Sequence, residues 1–323
     1  MASPIKKIGI LTSGGDGPGM NAAIRSIVRY SLHYGLEVAG IMRGYQGLLE
    51  EDIITLNHRS VSNIINKGGT ILKTARSKDF TPVEGKMKAA ENARKHGIDA
   101  LIVIGGDGSY QGAKRFYELS GIPTIGLPGT IDNDLHGTDQ TIGCATAINT
   151  ALESIDKIRD TAQSMERVFV IEVMGNKSGY IAMQVALAAG AEDVIIPERQ
   201  FDYAGMHQEI LEASNKGKIS YIVIVAEGAA MASVVADNIT RSTGLESRYV
   251  VLGHVQRGGT PSGPDRILST RLGAAAVDLL LNGVYGKAVG MLEDEINVID
   301  LKDATRRVHT DMDELYELLK ILT

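Results

Sequence analysis

The sequence contains one cysteine, Cys144, and no tryptophan. A single thiol makes no internal disulfide, which excludes a disulfide-stapled scaffold and fits a reducing, cytoplasmic setting. Cationic excess is also missing: 33 Lys and Arg stand against 39 Asp and Glu, a formal charge of −6. A chain built to neutralise a nucleic-acid backbone carries the opposite balance. No apolar run approaches the roughly 18 residues of a membrane span. At the start, Lys6 and Lys7 precede Ile8–Leu11, which runs straight into Gly14 and Gly15 with no secretory apolar stretch. Linkers, charge runs and solenoid repeats are absent as well. Proline is scarce, at 8, but glycine is abundant, at 37. Glycine placed after strands serves tight turns or close backbone approach to a ligand. With 44% apolar and 22% charged residues over 323 positions, the composition is that of a globular protein with room for two domains.

Short β-branched runs alternate with longer helical patterns. Ile8–Leu11, Ala100–Ile104, Thr124–Leu127, Val168–Val173, Ile219–Val225 and Tyr249–Leu252 read as buried strands. Helical spacing covers Met20–Tyr34, Glu84–His96, Ser109–Leu119, Thr141–Ala162, Ile181–Ala189, Tyr203–Ser214 and Pro264–Leu281. This alternation predicts an α/β fold with parallel sheets and helices on both faces. Two such sheets fit the length, with the helix from Thr141 as a bridge.

Two similar loops stand between a strand and a helix start: Ser13-Gly14-Gly15-Asp16-Gly17 and Gly105-Gly106-Asp107-Gly108-Ser109. Such a unit aims backbone N–H groups and a helix N-terminus at phosphate. Neither has the spacing of a P-loop or a dinucleotide fingerprint. Taken singly, each is also a plain structural turn. Asp107 suits Mg²⁺, which favours carboxylate and phosphate oxygens together. A third loop, Pro128-Gly129-Thr130-Ile131-Asp132-Asn133-Asp134, follows another strand. Asp132 and Asp134 share a face if the segment is extended, and close like charges can raise one carboxyl toward general-base duty. The alternative is a polar turn. Arg76, and the run Gly253-His254-Val255-Gln256-Arg257-Gly258-Gly259, supply cations suited to a phosphate monoester. The histidines have no metal-ligand spacing, and no Gly-x-Ser-x-Gly elbow occurs.

These motifs, in order and over nearly the whole chain, resemble the ATP-dependent 6-phosphofructokinases of bacteria. The matching stretches are Leu11–Arg25, Val103–Gly112, Leu127–Asp134, Val170–Gly175 and Val251–Gly259. The resemblance implies two Rossmann-like three-layer αβα domains with mainly parallel sheets and the active site in the cleft between them. Residues 1–143 plus 256–306 would bind ATP, and residues 144–255 plus 307–323 would bind fructose 6-phosphate. It implies transfer of the γ-phosphoryl of MgATP to the 1-hydroxyl of that sugar, in a cytoplasmic homotetramer.

By the same resemblance, Asp132 is the general base, supported by Thr130 and Asp134, while Gly15 and Arg76 stabilise the transferring phosphoryl. Gly15, Tyr45, Arg76, Ser77, Gly106, Asp107, Gly108 and Ser109 line the ATP site, with Asp107 on Mg²⁺. Thr130, Ile131, Asp132, Met174, Gly175, Asn176, Glu227, His254, Gln256 and Arg257 hold the sugar phosphate. Arg167 and Arg248 reach it from a neighbouring subunit. Pyrophosphate-using relatives carry Asp and Lys where this chain has Gly108 and Gly129, so the donor implied is ATP. An effector site for ADP or phosphoenolpyruvate maps to Arg25, Arg29, Arg159, Gly190, Glu192, Lys216 and Lys218, with Glu192 near a metal on the ADP.

Three positions depart from the pattern. Asn176 stands where the family usually has Arg, Tyr180 where Asp is common, and His58, beside Arg59, where an effector-site Arg is usual. Loss of an Arg near the phosphoryl would weaken catalysis unless Lys177 supplies the charge. A catalytically impaired, regulatory homologue is the alternative this raises.

Overall fold

The computed structural model describes residues 5–306 and 311–323. The chain divides into two compact units. The first is Met1–Ile131, Leu135–Thr146 and Arg257–Val308; the second is Asp132–Asp134, Ala147–Gln256 and His309–Thr323.

Chain order in the first unit begins β1 (Lys7–Ser13), α1 (Met20–His33), β2 (Glu37–Ile41), α2 (Tyr45–Glu50) and β3 (Ile53–Leu56). It continues with α3 (Val83–Lys95), β4 (Ala100–Gly105), α4 (Asp107–Ser120) and β5 (Thr124–Pro128). The helix α5 (Cys144–Met165) starts in this unit and continues into the second. The second unit holds β6 (Val168–Val173), α6 (Tyr180–Ala189), β7 (Asp193–Ile195), α7 (Tyr203–Asn215), β8 (Tyr221–Ala226), α8 (Ala232–Thr243) and β9 (Ser247–Val251). After β9 the first unit resumes with α9 (Gly263–Leu281), β10 (Lys287–Leu292), β11 (Glu295–Asp300) and α10 (Leu301–Ala304). The chain closes with α11 (Asp313–Leu322) in the second unit.

The first sheet runs β11-β10-β5-β4-β1-β2-β3. Its five inner strands are parallel, and β3 and β11 close the edges antiparallel. Period-two alternation sorts side chains between two cores. Ile8, Ile10, Ile102 and Ile104 join Ile24 and Ile27 of α1 and Leu272 of α9 on one face. Leu11, Leu101 and Val103 join Ala89 of α3 and Phe116 of α4 on the other. Each such fully buried aliphatic contributes about 1.5–3 kcal/mol. The smaller sheet, β7-β8-β6-β9, is wholly parallel. Val168, Val170, Val223 and Val225 pack there on Met206 of α7 and Val235 and Ile239 of α8, and α6 packs against β7 and β8. The expected αβα layering is present. Among the described residues no helix is long and apolar enough to cross a membrane.

One buried carboxylate fixes the entry to α5. Asp265, in the first turn of α9, accepts from the N–H groups of Gly143 and Thr146, each at 2.8 Å, and from the Thr146 hydroxyl. Burial pushes its carboxyl up, while the Thr146, Gly143 and Ser262 donors pull it down. Asp265→Ala strands those donors in the interior. It is expected to cost about 3 kcal/mol of unfolding free energy by urea titration.

Candidate active site

The three loops stand side by side because β1, β4 and β5 are neighbours. Ser13 pairs with Gly105, and Gly105 with Pro128, at the carboxyl ends of these strands. Ligands of open α/β sheets bind at that edge. The loops are tied together: the Ser109 hydroxyl donates to the Ser13 carbonyl at 3.0 Å, and the Gly129 N–H donates to the Gly105 carbonyl at 3.1 Å. Neither α1 nor α4 has a side chain capping its N-terminus, and their N-cap residues are Gly19 and Gly106. Helix N-termini without a side-chain cap, and the helix dipole, favour an anion at both loops. Gly19 has φ 117°, a conformation that a side chain there would strain.

Asp107 opens α4, and the Gln111 amide donates to both its carboxylate oxygens at 3.0 Å. Gly108 is exposed, and nothing lies within 4 Å of where its Cβ would be. Gly129 is the opposite: a Cβ there would lie 2.8 Å from Ile104 Cγ2 and 3.0 Å from the Gly105 nitrogen. Tyr45 lies inside, 5% exposed, stacked on Phe80 at 4.0 Å, and its hydroxyl donates to the Ser109 carbonyl at 2.7 Å. Burial pushes that hydroxyl well up. Tyr45 therefore supports the second glycine loop from beneath. The Ser77 hydroxyl donates to Gln46 at 2.6 Å and accepts from the Phe80 N–H at 3.1 Å. Lys86, its ammonium lowered by burial, donates to the carbonyls of Phe80 and Thr81. This turn anchors the segment that carries the exposed Arg76. The Arg257 guanidinium lies on Gly15, where an added Cβ would collide with Nη1, and its buried Nε has no partner among the described residues. An expected sugar-phosphate residue thus stands over the first glycine loop. Thr130 is half-buried and Ile131 buried.

In the second unit, half-buried Asp132 and Asp134 follow on directly from Thr130 and Ile131 in the chain. Beyond β6, the Met174 N–H donates to Gln256 Oε1 at 2.8 Å. Glu227 Oε1 accepts from the N–H groups of Gly175, at 3.2 Å, and Asn176, at 2.8 Å. His254 and Glu227 are exposed, while Gln256 is fully buried. Arg167 and Arg248 share one carboxylate: Glu246 bonds Arg167 at 2.7 Å through one oxygen and Arg248 through the other. Glu246 stands two residues before Arg248, and no motif in the sequence marks it.

The phosphofructokinase family model matches residues 7–280. The chain belongs to the phosphofructokinase family. It is 46% identical to an ATP-dependent 6-phosphofructokinase of Halothermothrix orenii, over 99% of this chain and 100% of that one. A relative of the same description from Shouchella clausii is 49% identical, again over 99% and 100%. Among solved structures, phosphofructokinase from Saccharomyces cerevisiae superposes with a TM-score of 0.91 at 35% identity. The match covers 97% of this chain, which spans half the length of the yeast chain.

The departure at position 176 falls on unusual backbone. Asn176 has φ 55°, left-handed backbone that Asn tolerates better than Arg. Its carbonyl lies against Gly228, with no room for a Cβ on that glycine. Asn176→Arg is expected to lower unfolding free energy by about 1 kcal/mol in urea titration, without raising turnover.

The expected effector residues fall in both units. Arg25 and Arg29 stand one turn apart on α1, and the Arg25 guanidinium is lowered by burial and by Arg29. In the second unit Arg159 donates to the carbonyls of Ala189 and Gly190 at the end of α6. Glu192 is buried, paired with Lys218 at 2.9 Å and accepting the Ile222 N–H at 2.6 Å. Lys216, His58 and Arg59 are exposed.

Proposed function

We propose that this chain transfers the γ-phosphoryl of MgATP to the 1-hydroxyl of fructose 6-phosphate, giving fructose 1,6-bisphosphate and ADP in glycolysis. The observation that carries the reading is the alignment of the two Gly-Gly-Asp-Gly loops beside Gly129 at three adjacent strand ends. The names of the relatives support the same reaction.

The first unit is the nucleotide-handling one. Backbone N–H groups at Gly15, Gly106, Asp107 and Gly108 take the phosphates, with Arg76, Ser77 and Ser109 lining the site. Arg76 and the Gly15 N–H stabilise charge spread over the transferring phosphoryl, where catalysis of this reaction mostly lies. Asp107 is the carboxylate that would hold Mg²⁺. A lone, partly exposed carboxylate beside phosphate-binding N–H groups suits an ion that keeps waters and takes most other ligands from the nucleotide. Bound there, Mg²⁺ would neutralise charge on the phosphate oxygens. The second unit handles the sugar phosphate through Met174 to Asn176, Glu227 and His254. Asp132 takes the proton of the attacking hydroxyl, with Thr130 and Asp134 in support.

The working form is a cytoplasmic homotetramer in which Arg167 and Arg248 serve a neighbouring subunit. ADP or phosphoenolpyruvate acts at the cationic residues of α1 and of the second unit. The departure from Arg at 176 does not favour an impaired homologue, since intact Asp107, Asp132 and Arg76 carry the chemistry. Phosphorus NMR of the reaction tests this. One equivalent of ADP and a new phosphate ester at the sugar 1-position are expected, and ATP hydrolysis without a new ester contradicts the assignment.

A further inference from the structure

Gln256 was expected to touch the sugar phosphate, yet its side chain is 0% exposed. It lies in the 3-10 turn Gly253–Arg257, between His254 and Arg257. Pairing of β6 with β9 ends at Glu172 and Val251, and the Leu252 N–H still donates to the Glu172 carbonyl at 3.0 Å. Beyond that point no backbone of β9 meets the Met174 N–H. Gln256 Oε1 takes it instead, at 2.8 Å. The next two N–H groups, of Gly175 and Asn176, go to Glu227 Oε1 from the β8 side. Three successive amides are thus held by two side chains from flanking strand ends. This segment needs such holding, because Gly175 and Asn176 take φ 147° and 55° and form no regular ladder.

We propose that Gln256 is a positioning residue that fixes Met174-Gly175-Asn176 relative to His254 in the 3-10 turn, and so sets the affinity for the sugar phosphate without touching it. Its buried Nε2 has no hydrogen-bond partner among the described residues, so the acceptor oxygen alone does the holding. A neutral amide supplies that oxygen without burying a charge. Truncation or an apolar isostere leaves the Met174 N–H unpaired, and the loop between β6 and α6 loses one of its three side-chain ties, with Glu227 at Gly175 and Asn176 and Glu198 at Gly179 remaining.

This inference rests on the sugar-phosphate role given to residues 174–176, and wild-type turnover of fructose 6-phosphate, measured in parallel, tests that role separately. Gln256→Met has nearly the same length and no comparable acceptor. It is expected to raise KM for fructose 6-phosphate about tenfold, to leave KM for ATP within about twofold, and to speed hydrogen exchange in a peptide spanning residues 168–178. Gln256→Glu restores an acceptor oxygen, with burial holding its carboxyl protonated and neutral, and is expected to recover most of the lost affinity and exchange protection. The positioning role is overturned if Gln256→Met leaves KM for the sugar phosphate unchanged, or raises both KM values equally. If Gln256→Met does not fold, Gln256→Glu decides alone: wild-type exchange protection at Met174 with a tenfold higher sugar-phosphate KM would overturn it.

Discussion

Asp132→Ser is expected to lower kcat about a thousandfold while leaving KM for both substrates within a few-fold. Proton removal by a positioned base is worth roughly 10²–10⁴, and serine at this position cannot accept the hydroxyl proton at neutral pH. The side chain is half-buried, next to half-buried Asp134, at the end of the Pro128–Asp134 stretch. Steady-state kinetics with both substrates varied gives the split between kcat and KM. A kcat within tenfold of wild type would remove Asp132 from the role of base and leave positioning by the glycine loops and Arg76 as the main source of rate.

Gly108→Asp is expected to cut kcat/KM for ATP about a hundredfold with no loss of stability. A Cβ at Gly108 meets nothing within 4 Å, so the substitution is sterically free. What it adds is a carboxylate at the mouth of the second glycine loop. Two like charges about 4 Å apart repel by about 4 kcal/mol at an effective dielectric near 20, and solvent at this exposed position trims that to about 2–3 kcal/mol. Gly129 is the control in the other direction. Lysine there would press on Ile104, Gly105 and Met20, so Gly129→Lys is expected to fail through the fold rather than through the donor. A Gly108→Asp enzyme that still uses ATP at the wild-type rate would mean that the nucleotide phosphates do not pass this loop.

Much of this is legible in the sequence. Inner strands such as β1, β4, β5, β6 and β8 are fully or nearly fully buried, and burial on both faces writes itself as a near-continuous apolar run. Edge strands mislead or leave no mark: Tyr249–Leu252 reads as a buried strand, yet β9 lies at a sheet edge with Tyr249 and Val251 exposed. In β11 the sequence Glu-Ile-Asn-Val-Ile-Asp is mostly exposed, and β3 has two exposed residues in four, so neither stood out. The glycine loops were legible because Gly and Asp cluster directly after strands. The contacts that hold the site were not. Asp265 reaches Gly143 across 122 residues, and Gln256 reaches Met174 across 82, and no local pattern announces a partner that far away. Tyr45 and Gln256 have residue types suited to ligand contact, but their burial turned both into supports for the loops they were expected to join.

The most direct test of the account is fructose 1,6-bisphosphate formation by the purified chain with Mg²⁺, given ATP or pyrophosphate in parallel reactions. Turnover with ATP and none above background with pyrophosphate is the predicted result. Turnover with pyrophosphate, or with neither donor, would contradict it.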